Sequence, residues 1–183
     1  QKGGYFVLAS GRPDAGMKHI VKECGLDQEE GFIIAFNGGK IMRTDTHEVL
    51  YSEGISQTSL SFFENYAKDQ GFSICTYDDD HIIASEASAD VLLESKLTQM
   101  DYHLVEDIST HFTNKFIPKA IVFGAEKEIA EGLKALIEMP HNQPVELAIS
   151  NSTFLEISGA GINKGKALHK LVELLGIEVS EII

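Results

Sequence analysis

The stretch FVLASGRPDAG, residues 6–16, decides the fold. An apolar run ends abruptly in Ser10, Gly11, Arg12 and Pro13. Met17, Ile20, Val21 and Cys24 then recur at the spacing of one helical face, with Gly25 as a stop. A second apolar run, FIIAF, occupies residues 32–36. Strand, helix, strand in this order is a βαβ unit, and its continuous apolar runs predict parallel strands covered on both faces. In such sheets ligands bind beyond the carboxyl ends of the strands, where loops expose N–H groups and the next helix offers its positive end. There Ser10 can give its hydroxyl to a phosphate oxygen, Gly11 allows close backbone approach, and Arg12 can make a two-pronged contact. The same residues also read as a plain turn with Arg12 solvated, and on the tetrapeptide alone that is the better reading.

Outward from this stretch, KIMR and EVLYSEGI flank the polar TDTH and predict a hairpin. Asn37 is a candidate phosphate-binding residue because it too follows a strand, although an Asn-Gly pair is first of all a turn signal. From about residue 57 the pattern changes. Leu60, Phe63 and Ala67 make a helical face, and FSICTYD and HIIASE read as strands around Asp78, Asp79 and Asp80. A helix follows through Leu93, Leu97 and Met100, then a less regular stretch to about residue 114. KAIVFGA is a strand; Ile129, Leu133, Leu136 and Ile137 mark an amphipathic helix; VELAIS and TFLEIS read as a final pair joined by NS. Leu168, Leu171, Val172 and Leu175 stripe a last helix that begins just after Asn163 and Lys164. Lys164, set before Gly165 at that helix entrance, can reach a phosphoryl oxygen above the sheet; taken alone it reads as a solvated charge. The expected organisation is a core in two pieces, residues 1–56 and 159–183, interrupted by an α+β unit at 57–158.

Lys plus Arg number 15 against 28 Asp plus Glu, a net charge of −13. That argues against binding a nucleic-acid backbone or an anionic membrane, yet a local cationic pocket can still hold a small phosphate ester. No apolar run approaches the roughly 20 residues that span a bilayer. Cys24 and Cys75 have no C-x-x-C spacing, which fits a reducing cytoplasm. The histidines at 19, 47, 81, 103, 111, 141 and 169 show no ligand spacing, so scattered structural or surface roles are expected rather than a metal site, and the three aspartates read as a solvated turn. G-x-S-x-G, G-x-x-x-x-G-K-[ST] and G-x-G-x-x-G are absent.

Together, VLASGRPDAG, FIIAFNGG and FLEISGAGINKGKALHKLVELLGI, with an α+β insertion between them, resemble the Cof-type branch of the haloacid dehalogenase-like phosphatases. The resemblance implies an α/β fold: a partial Rossmann-like core with a parallel sheet and an inserted α+β cap that supplies specificity. It implies that Ser10 binds the transferring phosphoryl group with Gly11 and Arg12 assisting, and that Lys164 neutralises phosphate charge and orients the nucleophile. The implied chemistry is Mg2+-dependent hydrolysis of a small phosphorylated metabolite, such as a sugar phosphate, through an aspartyl-phosphate. The family's D-x-D-G-T and G-D-x-x-N-D motifs are expected before residue 1 and after Ile183, and neither occurs in these 183 residues. Both ends therefore read as cuts, with Ile182 and Ile183 beginning another strand. The chain alone is expected to lack activity and most Mg2+ ligands, and its parent to have both. The cap is expected to fold by itself while the core is rearranged, poorly ordered, or self-associated through exposed strands. The rival reading is a non-catalytic module holding a phosphorylated ligand through Ser10 and Lys164.

Overall fold

Apolar periodicity sorts this chain into two separate cores. The computed structural model describes residues 3–28, 30–139 and 144–183. One unit takes the chain up to Glu53 and again over Gly161–Ile183; the other is Gly54–Ala160. The first opens with β1 (Phe6–Ala9), α1 (Lys18–Glu23), β2 (Gly31–Ala35), β3 (Lys40–Arg43) and β4 (Val49–Ser52). The second runs α2 (Gln57–Gln70), β5 (Ser73–Tyr77), β6 (His81–Ala84), α3 (Ala89–Thr98), β7 (Asp101–Leu104), α4 (Ile108–His111), β8 (Lys119–Phe123), α5 (Glu126–Glu138), β9 (Val145–Asn151) and β10 (Phe154–Gly159). The chain then returns to the first unit with α6 (Lys164–Leu175).

The first unit holds a four-stranded sheet in the order β1-β2-β3-β4. Only β1 and β2 are parallel, joined by the α1 crossover; the hairpin continues the sheet antiparallel. Every residue of β2 is buried, because it has a neighbour on each side. β1 departs from the expectation of a strand covered on both faces: it is the sheet edge, and Phe6 is 56% exposed. An apolar run reports what a strand can bury, not whether a neighbour is there. Helix α6 lays Ala167 and Leu171 against Phe32, Ile34 and Ile41, with Leu168 and Leu175 at the margin. Asn163 caps it by accepting the Lys166 N–H, and Gly176, in the left-handed region, ends it. Beyond it a 3-10 turn, Val179–Glu181, leads to exposed Ile182 and Ile183 rather than to a strand.

The second unit is a six-stranded sheet, β7-β6-β5-β8-β10-β9. Leu60, Phe63 and Ala67 of α2 pack on Ile74, Ile83, Val122, Leu155 and Ile157, and Ile129 and Leu136 of α5 join them. Each fully buried large side chain contributes about 2–3 kcal/mol. The irregular stretch before residue 114 contains β7, parallel to β6, and α4. Helix α3 corrects the sequence expectation. Leu93 and Leu97 are 41% and 48% exposed, and Val91, Glu94 and Thr98 face inward instead. The cause is polar: Tyr77, fully buried, donates its hydroxyl to Glu94 at 2.7 Å, and Thr98 donates to the Glu94 carbonyl. An unbonded buried phenol costs more than two half-exposed leucines gain.

Candidate anion site at the ends of β1 and β2

The pairing of β1 with β2 does not stop where the strands do. The Ser10 N–H donates to the Ile34 carbonyl at 2.9 Å, the Asn37 N–H to the Ser10 carbonyl at 3.0 Å, and the Phe36 N–H to the Arg12 carbonyl at 3.0 Å. These bonds stitch the loop at residues 10–12 to the turn at 36–38. Phe36, Asn37 and Gly38 have φ of 51°, 57° and 115°, three successive residues in the left-handed half of the map. Two are not glycine, a strain of a kind that gathers at functional sites. Gly38 has no alternative, since a Cβ there would lie 2.5 Å from the Asn163 carbonyl oxygen. A Cβ on Gly11 would lie 2.8 Å from Asn37 Oδ1.

The structure thus links Ser10, Arg12 and Asn37 by hydrogen bonds and sets Gly11 close against the Asn37 side chain. The start of α6 presses on the same turn through Asn163, directly before Lys164. Ser10 Oγ accepts the Arg12 N–H at 3.1 Å, which uses a lone pair and leaves its own proton to donate. Arg12 and Lys164 are exposed, and neither has a hydrogen bond or ion pair from its side chain among the described residues.

Several other charges of the same unit are engaged. Lys166 lies 3.4 Å from Glu53, which also accepts a hydrogen bond from the Tyr51 hydroxyl. The Tyr51 bond holds the Glu53 carboxyl below its ordinary range with Lys166 assisting, and burial pushes Tyr51 up to about 12. Asp14 and Lys40 form an ion pair at 3.0 Å, their side chains only 9% and 6% exposed. Sequence reasoning missed both groupings, because no local spacing links their members. An aspartate after Pro13 and a lysine opening an apolar strand are the only signals.

The Ser10 hydroxyl, with a proton left to donate, and the exposed Arg12 guanidinium of the same loop are groups that can meet an anion. Over residues 1–183 the sequence matches the haloacid dehalogenase-like hydrolases. The chain belongs to that family. Among haloacid dehalogenase-like structures, one from Bacteroides thetaiotaomicron is 27% identical with a TM-score of 0.86, covering 93% of this chain and 64% of that one. The subclass IIB sugar phosphatase BT4131 shares the fold, with a TM-score of 0.72 at 19% identity over 98% of this chain and 66% of its own. The HMP-PP phosphatase of Yersinia pseudotuberculosis serotype O:1b (strain IP 31758) is 25% identical over 96% of this chain and 62% of that protein. The chain spans a little under two thirds of the length of these relatives.

Haloacid dehalogenase-like phosphatases use Mg2+, but the donor set here does not fit one. Among the described residues no group of three or more His, Cys, Asp or Glu side chains could hold a metal ion. Asp14 is bound to Lys40, and Asp78 spends Oδ1 on the N–H groups of Asp80 and His81. His81, His103 and His111, scattered in sequence, form a column in the second unit with ring centroids 6.2 and 6.3 Å apart. Asp78 lies 3.6 Å from His81 and 3.8 Å from His111. His141 lies outside the described residues. Among the described residues no helix is long and apolar enough to cross a membrane.

Proposed function

We propose that this chain is the phosphoryl-binding part and specificity insert of a cytoplasmic phosphatase that hydrolyses small phosphorylated metabolites such as sugar phosphates. The observation that carries the reading is the joining of the Ser10–Arg12 loop, the Asn37 turn and the Lys164 helix start at one end of one sheet. In this role Ser10 donates its hydroxyl to a phosphoryl oxygen, the Gly11 N–H and the Arg12 guanidinium take the others, and Lys164 offsets charge that grows in the transition state. Mg2+ belongs, on this proposal, to the intact parent, where it would polarise the phosphoryl group. The residues of this chain bind and orient the anion.

A second reading, a non-catalytic module for a phosphorylated ligand, is favoured by one observation: the loop's own carboxylate, Asp14, is locked to Lys40 and cannot attack phosphorus. Turnover of p-nitrophenyl phosphate separates the two. In the full-length parent, Lys164→Ala should lower turnover about 100-fold or more, the scale for loss of one positioned charge. Near-normal turnover removes Lys164 from the mechanism. The isolated chain should release no phosphate above the buffer control, and catalysis by it alone would refute its assigned inactivity.

A further inference from the structure

Among the described residues, Asp14 and Lys40 are the charged side chains that the first unit buries almost completely. Their places are telling. Asp14 directly follows the Ser10–Pro13 loop, and its carbonyl accepts the Met17 N–H at 2.9 Å, which fixes the exit of that loop. Lys40 directly follows the strained Phe36–Gly39 turn and is in register with Ala35 on one side and Ser52 on the other. The 3.0 Å bridge between them therefore ties a loop to the interior of the sheet, and joins the far ends of the two segments that carry Ser10, Arg12 and Asn37. Burying an ion pair is poor value for stability, since an apolar pair of similar volume does as well or better. What an ion pair adds is a defined distance and direction. Being neutral as a pair, it also orders the loops without cancelling the cations Arg12 and Lys164.

We infer that Asp14 and Lys40 are positioning residues of the phosphoryl site, a buried tether that sets the spacing between the Ser10–Arg12 loop and the Asn37 turn. This role rests on the phosphoryl-binding reading above. Inorganic phosphate titrated into the chain by calorimetry tests it. Asp14→Asn and Lys40→Met should each weaken binding about tenfold or more, because small misplacements of binding groups are costly. Lys40→Arg, which keeps charge and reach, should recover most of the loss. Val21→Ala, a truncation of a buried α1 side chain that is not a member of the pair, should lower the melting temperature and leave phosphate affinity unchanged. Amide exchange supplies a readout without ligand: losing the pair should speed exchange at residues 10–12 and 36–39 together.

Wild-type affinity in Asp14→Asn and Lys40→Met overturns the tether, as does an equal loss in Val21→Ala. The two levels come apart cleanly. Phosphate binding that vanishes in Lys164→Ala but persists in the pair variants sinks the tether alone; a wild-type chain that binds no phosphate sinks the site reading and this role with it.

Discussion

Lys119 opens β8 in the second unit and Lys164 opens α6 in the first, yet their charges are treated in opposite ways. Lys119 is 6% exposed, bonded to Glu156 at 3.0 Å and set 5.8 Å from the centre of the Tyr77 ring. Lys164 is exposed and has no side-chain partner among the described residues. The second unit draws polar groups inward and matches each of these, Tyr77 with Glu94 and Lys119 with Glu156. The first unit buries a matched pair as well, Asp14 with Lys40, and leaves Arg12 and Lys164 exposed at a strand end and a helix start. Removing one member of a buried matched pair strands its partner and costs stability, whatever the pair itself adds. Removing an exposed cation that has no partner strands nothing and costs the fold little.

That contrast is sharpest in free energy. Lys119→Met should cost about 3 kcal/mol of stability in urea unfolding, the lower end for a buried pair because Glu156 keeps some solvent. Lys164→Ala should stay within about 0.5 kcal/mol of the parent sequence. Equal losses at the two positions would break the comparison.

Glycines sharpen it at the level of the backbone. Gly38 in the first unit and Gly71 in the second both have positive φ, but only Gly38 faces another backbone; around Gly71 a Cβ would meet open space. Gly71→Ala should cost about 1 kcal/mol, the left-handed penalty alone. Gly38→Ala should cost about 3 kcal/mol, since the Asn163 carbonyl must also move. Similar melting temperatures for the two variants would mean that α6 does not press on the Asn37 turn.

The sequence is most readable where local chemistry and tertiary packing agree. Leu168, Leu171, Val172 and Leu175 mark the face that α6 buries or half-buries, and Asn163 and Gly176 mark its ends. Ser10, Asn37 and Lys164 are visible as candidates because strand ends and helix starts punctuate the chain. What joins them is not visible: the approach of Gly38 to Asn163 and the bridge of Asp14 to Lys40 depend on how distant segments meet. Helix α3 misleads for a related reason. Its leucines advertise one face, and a single phenol on a distant strand turns Glu94 inward instead. Strand β7, DYHL, has all four residues exposed and so carries no apolar alternation to read.

The smallest effect concerns a pair that stays open to solvent. Arg43 grips Asp45 with two bonds, Nε to Oδ1 at 3.0 Å and Nη2 to Oδ2 at 2.8 Å, and reaches Glu30 with Nη1 at 2.8 Å. The Arg43 hydrogen bonds bring the Asp45 carboxyl down from its ordinary 3.8 to about 2. The folded form thus holds the charged carboxylate more tightly than the unfolded chain does. Its contribution is complete above about pH 4 and is lost as pH falls through about 2. Solvent and salt screen such a pair, so the loss should shrink in 0.5 M salt, on the order of five times the ordinary 0.1 M. The Lys119–Glu156 pair, with its lysine end buried, should respond to salt less. Carboxyl-carbon NMR reads the midpoint of Asp45 directly, and Arg43→Ala should return it to about 3.8. A midpoint already near that value in the unaltered chain would show that the two-pronged grip is not held in solution, and that Arg43, unlike Lys119, is not truly matched.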